Sequence, residues 1–297
     1  AISGRARGFL CAHVVGSRQL VTPSLQSLLI VSSTVISSVA CAPSANSLTT
    51  APTPRPTAPA PPDEATSYML TLINRDRKAE GLTEVTLDPI ASVGALRHAR
   101  DMAKHGFTAH WGSDGSVPEE RYTDAGGTDL VQENVACLFD GVPRELDGNP
   151  HFDPALLEQL QKMFMDEVPP NDGHRRNILK PGHVRVGIGL AQPATVNQPC
   201  LSQQFVDDFG DFDELPRQAP RSATLHVAGE VHAPILFVGV GIGRIVPPKS
   251  MSAAELNATN VYRIPEPDTL YFPLGFNTLK TVKVDGARLP LTGTEYA

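Results

Sequence analysis

Apolar residues recur at helical spacing in three stretches of the chain and at alternate positions in several others. Met69, Leu70, Leu72 and Ile73 supply the apolar face of a predicted helix over 64–80, with Asp63 placed as its N-cap and Gly81 to stop it. Ile90, Val93, Leu96, Met102 and Ala103 keep the same period in a second helix, which Asp88 caps, Pro89 opens and Gly106 ends. Leu156, Leu157, Leu160 and Phe164 predict a third over 154–167, terminated by Pro169 and Pro170. Period two replaces this pattern along VRVGIGLA at 184–191 and QQFVDDFG at 203–210, so both read as strands. Helices followed by short strands predict an α+β fold, with helices packed on a small antiparallel sheet.

After the acidic stretch DDFGDFDELP at 207–216 the chain turns to short apolar runs broken by proline and glycine. TLHVAGEV at 224–231 and ILFVGVGIGRIV at 235–246 read as strands, and KTVKVDGARLPL at 280–291 as a hairpin turning at Asp285 and Gly286. A small C-terminal all-β domain over 213–297, arranged as a β-sandwich, is the expectation.

The amino end follows neither period. Arg5, Arg7 and Arg18 precede an apolar run from Leu25 to Ala40, too short and serine-rich for a comfortable membrane span and closer to a signal-peptide core. Residues 1–42 are therefore assigned to a signal segment outside the fold, and those before Gln19 are open to a second reading as upstream sequence. SSVAC at 37–41 resembles a bacterial lipoprotein processing site in which Cys41 becomes the lipidated first residue, although Ser38 stands where leucine is usual. Cleavage after a small residue such as Ala42, or an accidental cysteine, are the alternatives. Residues 43–62 form a proline-rich linker with little to bury, either a semi-rigid polyproline tether or a disordered leader. Each processing reading places the protein outside the cytoplasm, secreted or lipid-anchored to the envelope.

At 297 residues the chain accommodates one large domain or two ordinary ones, and its hydrophobic fraction of 41% is enough for a core. The net charge of -7 argues against nonspecific attraction to nucleic acid or anionic lipid, and 6% aromatic residues provide no stacking platform for bases or glycans. HExxH, GxSxG and P-loop motifs are absent from the sequence, and GVGIG at 239–243 lacks the fingerprint of a dinucleotide site and reads as a strand or turn.

Five ordered segments carry a resemblance: LINRDRKAEGL at 72–82, LRHARDM at 96–102, FTAHWGSDGSVPEER at 107–121, ENVA at 133–136 and GHRRNIL at 173–179. Together with HVRVGIGLA at 183–191 they resemble the CAP superfamily of cysteine-rich secretory proteins, antigen 5 and pathogenesis-related proteins, in its bacterial SCP-domain form. The resemblance implies an α-β-α sandwich over 63–212, in which a three- or four-stranded antiparallel sheet lies between helices with a cleft on one side. It also implies a cleft tetrad. The family histidines fall on His110 and His174, one acidic position on Glu133 and the other on Glu167, with Asp166 one residue away as a substitute.

Two imidazoles and one or two carboxylates suit a divalent metal, zinc first among them. A bound ion with a spare carboxylate makes hydrolysis conceivable. The same four side chains could equally form charge-assisted hydrogen bonds that only hold a loop. The favoured expectation is a noncatalytic extracytoplasmic module whose cleft binds a metal and a small molecule, lipid, glycan or peptide, with Cys41 as a possible membrane tether and no nucleic-acid partner. Metal-assisted, peptidase-like hydrolysis is the alternative, and whether the chain is an enzyme stays open.

His98 reads as locally packed or hydrogen-bonded, His105 as a cation at a helix C-terminus and His183 as solvent-exposed. Arg175, Arg176 and Asn177 suit capping or salt bridging better than contact with an anionic ligand. Trp111 either lines the cleft or covers the core. The chain has 4 cysteines; Cys11 carries no reading, and Cys137 and Cys200 are expected to form a disulfide in an oxidising compartment, with a nucleophilic role as the unsupported alternative.

Overall fold

The computed structural model describes residues 9–17, 54–216, 219–220, 224, 226–232, 236–245, 249–259, 261–264, 266–273, 281–284, 287–290 and 293–296. In chain order the first elements are β1 (Phe9–Ser17), α1 (Pro62–Ala79), β2 (Thr86–Leu87), α2 (Pro89–His105), α3 (Pro118–Asp124), β3 (Leu130–Cys137), α4 (Pro154–Met165), α5 (Gly173–Ile178), β4 (Arg185–Ala191) and β5 (Cys200–Asp207). Three of the five helices here start and stop close to where periodicity puts them. The Asp88 side chain accepts a hydrogen bond from Ala91 N at the start of α2, and Gly106 ends that helix in the left-handed region at φ 72. Asp63 does not cap α1: Pro61 occupies that position without a side-chain bond, and Asp63 lies in the first turn, where its charge favours the helix dipole. α4 ends at Met165, so Glu167 lies just beyond the helix.

The central sheet has the order β2-β4-β5-β3. β3 and β4 pair with β5 antiparallel, whereas the two-residue β2 runs parallel to β4, so the expected antiparallel sheet carries one short parallel edge. One face is covered by α1 and α4, whose Met69, Leu72, Ile73, Leu157, Leu160 and Phe164 form a core with Val186, Ile188, Leu190 and Phe205. α2 and α3 cover the other face through Ala91, Ala99, Met102 and Tyr122. This is the α-β-α sandwich that the resemblance implies.

Burial on both faces removes the inside-outside contrast from β4 and β5. In β4, Val186, Ile188 and Leu190 point to the α1 side, while Gly187 and Gly189 let α2 approach. A Cβ on Gly187 would stand 2.2 Å from the carbonyl carbon of Ala91, and one on Gly189 2.2 Å from that of Ala95. The alternation in VRVGIGLA is thus one of size.

His183, expected at the surface, is buried. Its ring stacks on Phe205 and lies between Asp207, 2.7 Å from Nδ1, and the Asn177 side-chain oxygen, 2.9 Å from Nε2. Burial there is tolerated because both ring nitrogens have partners.

The remaining elements are β6 (Gly210–Phe212), β7 (Gly229–Val231), β8 (Leu236–Ile245), α6 (Ala253–Asn257), β9 (Thr269–Pro273), β10 (Thr281–Val284), β11 (Ala287–Pro290) and β12 (Gly293–Tyr296). A second sheet has the order β1-β8-β9-β12, and β6-β7 and β10-β11 form two-stranded ladders, which makes the tail strand-rich as expected. β1 falls inside the segment assigned to the signal and pairs antiparallel with β8. β10 and β11 pair from Val284↔Ala287 outward, while the turn assigned to Asp285 and Gly286 lies outside the described residues. Cys41 and the rest of 18–53 lie outside them too. Farther along, Ala60 is buried and bridges to Phe152, so the end of the proline-rich stretch packs on the sandwich. Among the described residues no helix is long and apolar enough to cross a membrane.

Candidate functional site

β3 is one edge strand of the central sheet, and its alternation sends neighbouring side chains to opposite faces. Glu133 faces α2 and α3; Asn134 faces the side of α5. The two histidines arrive from these two sides.

His110 follows α2. The left-handed turn at Gly106, where a Cβ would meet the carbonyl oxygen of Gly141 at 2.7 Å, returns the chain toward the sheet. Phe107 then enters the core, and the His98 Nε2–H donates to the carbonyl of Ala109 at 2.7 Å. Burial, reinforced by the nearby Arg121 guanidinium, lowers the His98 pKa to about 4 despite the opposing pull of Glu133. His98 is therefore neutral near pH 7 and serves to hold the loop that presents His110, in agreement with its local reading.

Glu133 sits in a dense ring of donors. Its Oε1 accepts from Ser202 Oγ at 2.9 Å, Gln204 Nε2 at 3.3 Å and Arg121 at 3.1 Å, and its Oε2 from Arg121 at 3.0 Å and His110 Nδ1–H at 3.2 Å. Burial by itself would raise this carboxyl, but Arg121, with help from His98 and His110, outweighs it and holds the group far below the usual carboxylate range. Arg121 is itself 1% exposed and is fixed by the carbonyls of Ser116 at 2.8 Å and His110 at 2.9 Å. Glu133 thus has a buried ionic partner.

On the other face, His174 belongs to the first turn of α5. Glu167 caps that turn: Oε2 accepts from His174 N at 2.8 Å and Arg175 N at 3.3 Å, while Oε1 accepts from His174 Nδ1–H at 2.5 Å. Asp166, the possible substitute, pairs instead with Lys162. Asn134 donates to the carbonyl of His174 at 3.1 Å and accepts from Asn177 at 2.9 Å, tying α5 to the edge strand. Arg175 binds Glu80 and Arg176 binds Asp172, which is the salt-bridging role expected of them.

The structure therefore brings His110 and His174 to one pocket and pairs each with a glutamate, Glu133 and Glu167, set behind the pocket lining. The imidazole centroids are 6.2 Å apart, and the rings border a pocket of about 110 Å³ that Trp111, Val135, Thr259 and Val261 also line. With each Nδ1 committed to a carboxylate, Nε2 is the ring nitrogen left for a ligand, the arrangement by which a second layer of side chains orients metal-binding histidines. Among the described residues no group of three or more His, Cys, Asp or Glu side chains is arranged to hold a metal. Two imidazoles completed by water or a ligand fit an exchangeable divalent ion, and do not fit a closed four-ligand zinc site.

A wider groove of about 240 Å³ lies behind Glu133, bordered by Arg97, His98, Asp101, Asp114 and Arg121, but Arg97 is already paired with Asp114 and Asp124.

Sequence reasoning did not single out Arg121, Ser202, Gln204 or Asn134. Arg121 lay within one of the matched segments, and the signal for it was indirect: a buried glutamate needs a buried cation. Cys137 and Cys200 are directly opposed in the β3–β5 register and form a disulfide, as expected.

Residues 70–205 match the cysteine-rich secretory protein family, CAP. Similar solved structures include an extracellular protein containing an SCP domain from Bacillus anthracis, with 20% identity, a TM-score of 0.35, and coverage of 51% of this chain and 45% of that one. An outer surface protein from Borrelia burgdorferi has 14% identity and a TM-score of 0.38, over 48% of this chain and 92% of that one. The CAP domain of enterococcal PrgA has 19% identity and a TM-score of 0.35, over 50% of this chain and 63% of that one. The chain spans less than half the length of the Bacillus anthracis protein. No curated protein matches it.

Proposed function

Since residues 70–205 carry a CAP domain, we propose that the chain is an extracytoplasmic binding module whose cleft takes a divalent metal, zinc first, together with a small ligand, and that it is noncatalytic. The observation that carries this reading is the pair of imidazoles flanking one pocket, each with its Nδ1–H held by a glutamate. Glu133 and Glu167 fix the tautomer and ring position of His110 and His174, leaving Nε2 of each as the donor. An ion between them would supply an electrophilic position for an oxygen of the ligand.

Hydrolysis needs a base, and the bonds already made by both carboxylates support the noncatalytic reading. Glu133 is held ionised by Arg121 and accepts from four side chains, which lowers its affinity for a proton. Glu167 accepts from two backbone amides and His174. The peptidase-like alternative would require one of them to give up these bonds.

The Cys137–Cys200 disulfide supports an oxidising compartment. Attachment through Cys41 is the form of anchoring we propose. The deciding experiment is zinc content and affinity of the full chain beside His110→Ala and His174→Ala. Stoichiometric binding lost in both variants is the expected result; no binding to folded wild-type protein refutes the metal reading, and turnover abolished by chelation would refute the noncatalytic one.

A further inference from the structure

The loop that presents His110 is held from two directions. From within the sandwich, His98 Nε2–H donates to the carbonyl of Ala109 and Arg121 to that of His110. A second set of bonds reaches the same loop from beyond residues 70–205, where the CAP match ends. Met251 N donates to the carbonyl of Ser113 at 3.0 Å. Ser252 and Glu255 form a reciprocal capping box that starts α6, and Leu256 is fully buried in the core cluster of Met102, Phe107 and Val135, which seats α6 on the sandwich. At the end of α6 the Asn257 side chain accepts from Thr108 N at 2.9 Å and donates to the carbonyl of Gly106 at 3.1 Å.

These two bonds act where the loop takes its direction. Gly106 is the left-handed residue that ends α2, so a small rotation there is carried along the loop to the imidazole. One planar amide that holds both the carbonyl of the turn and the amide of Thr108 fixes the heading of the chain as it approaches His110. Tyr262 adds a contact at the ring itself. Its hydroxyl donates to buried Glu119 at 2.7 Å, and its ring lies 6.0 Å from that of His110 and meets Trp111 edge-on at 5.1 Å. Glu119 belongs to α3, the helix that also carries Arg121, so Tyr262 ties the His110 side of the pocket to the helix that holds Glu133. His174, by contrast, is placed by Glu167, Asn134 and Phe164, all within the matched residues.

We infer that Asn257 and Tyr262 are positioning residues for His110, so that the cleft is completed by the C-terminal part of the chain and is not a property of residues 70–205 alone. The consequence for metal affinity rests on the proposed role of His110 as a ligand; the placement of its ring does not.

The full chain is compared with Asn257→Ala, Asn257→Asp and Tyr262→Phe by proton–nitrogen correlation spectra of the imidazoles without metal, by zinc titration and by thermal unfolding. His110→Ala and His174→Ala assign the two rings. Asn257 is exposed, so Asn257→Ala is expected to leave the thermal midpoint close to wild type. In that variant the His110 signals shift while those of His174 stay, and zinc affinity falls about tenfold. Asn257→Asp, which keeps the acceptor for Thr108 N and loses the donation to Gly106, falls between wild type and Asn257→Ala. Tyr262→Phe keeps the ring, loses the bond to Glu119 and shifts His110 alone by a smaller amount. His110 signals unchanged in Asn257→Ala overturn the inference, because α6 is then only a structural support, and so do equal shifts of both imidazoles, which report general loosening. Zinc bound by Asn257→Ala with wild-type affinity also overturns it and leaves the metal reading standing. A folded wild type that binds no zinc refutes the metal reading instead, and the His110 signals then decide this inference by themselves.

Discussion

Glu133→Gln is the substitution in which the geometry makes its strongest demand. The amide keeps the shape of the side chain but loses the charge, and it brings a donor to face Arg121 and His110, which are donors themselves. Arg121 stays 1% exposed, keeping its carbonyl partners but losing its ion-pair partner. Breaking a buried ion pair from one side costs about 3–5 kcal/mol, a large share of the ~5–15 kcal/mol that stabilises a domain. At ~2–4 °C per kcal/mol for a domain of this size, the melting point falls by about 10 °C. Urea unfolding followed by Trp111 emission measures the loss directly. Glu167→Gln is the control: its side chain is 23% exposed and caps a short helix, so about 1 kcal/mol is expected. Arg121→Met should restore much of the stability lost in Glu133→Gln, because it removes the guanidinium that Glu133→Gln leaves without its ion-pair partner. A Glu133→Gln loss below about 1 kcal/mol, or one equal to that of Glu167→Gln, would falsify the claim that this carboxylate is held chiefly by Arg121.

Acid should weaken the fold before carboxylates titrate. His98 has a folded pKa of about 4 against 6.5 unfolded, so the unfolded chain binds the extra proton between these values. Its contribution is intact above pH 6.5 and is lost as pH falls toward 4, by about 3 kcal/mol. Burial lowers His183 as well, with the same sign, so His98→Gln should flatten the slope between pH 6.5 and 4.5 without abolishing it; an unchanged slope defeats the assignment. Reducing the Cys137–Cys200 disulfide releases a loop of sequence separation 63, which by chain entropy costs about 4 kcal/mol; a melting point unmoved by reductant, with both thiols shown free, contradicts this.

Local chemistry made much of the sandwich legible. The N-cap of Asp88, the proline after it and the left-handed glycine at 106 act within a few residues, so the limits of α2 follow from neighbours in sequence. The apolar face of α4 is similarly local. Asp63 misled because it is a good capping residue, but the prolines at 61 and 62 preset the backbone two residues earlier. The resemblance brought His110, Glu133, Glu167 and His174 together in number, and the fold brings them together in space.

Their division of labour was not legible. Whether a glutamate ligates, orients or pairs depends on donors from distant segments: Arg121 on α3, Ser202 and Gln204 on β5 and His110 after α2 all converge on Glu133. His183 read as exposed because its partners, Asn177 and Asp207, are supplied by a helix and a strand on either side of it. Tyr262 carried no signal at all, since its importance arises when α6 packs on the sandwich and lays the following residues beside His110. The sequence by itself determined α1, α2 and α4 and the strand character of β4 and β5, because caps, turns and periodicity are short-range, whereas α3, α5 and α6 emerged only in the fold. Only the tertiary structure decided which polar groups share a buried environment, because desolvation, charge pairing and hydrogen-bond satisfaction depend on neighbours that lie far away along the chain.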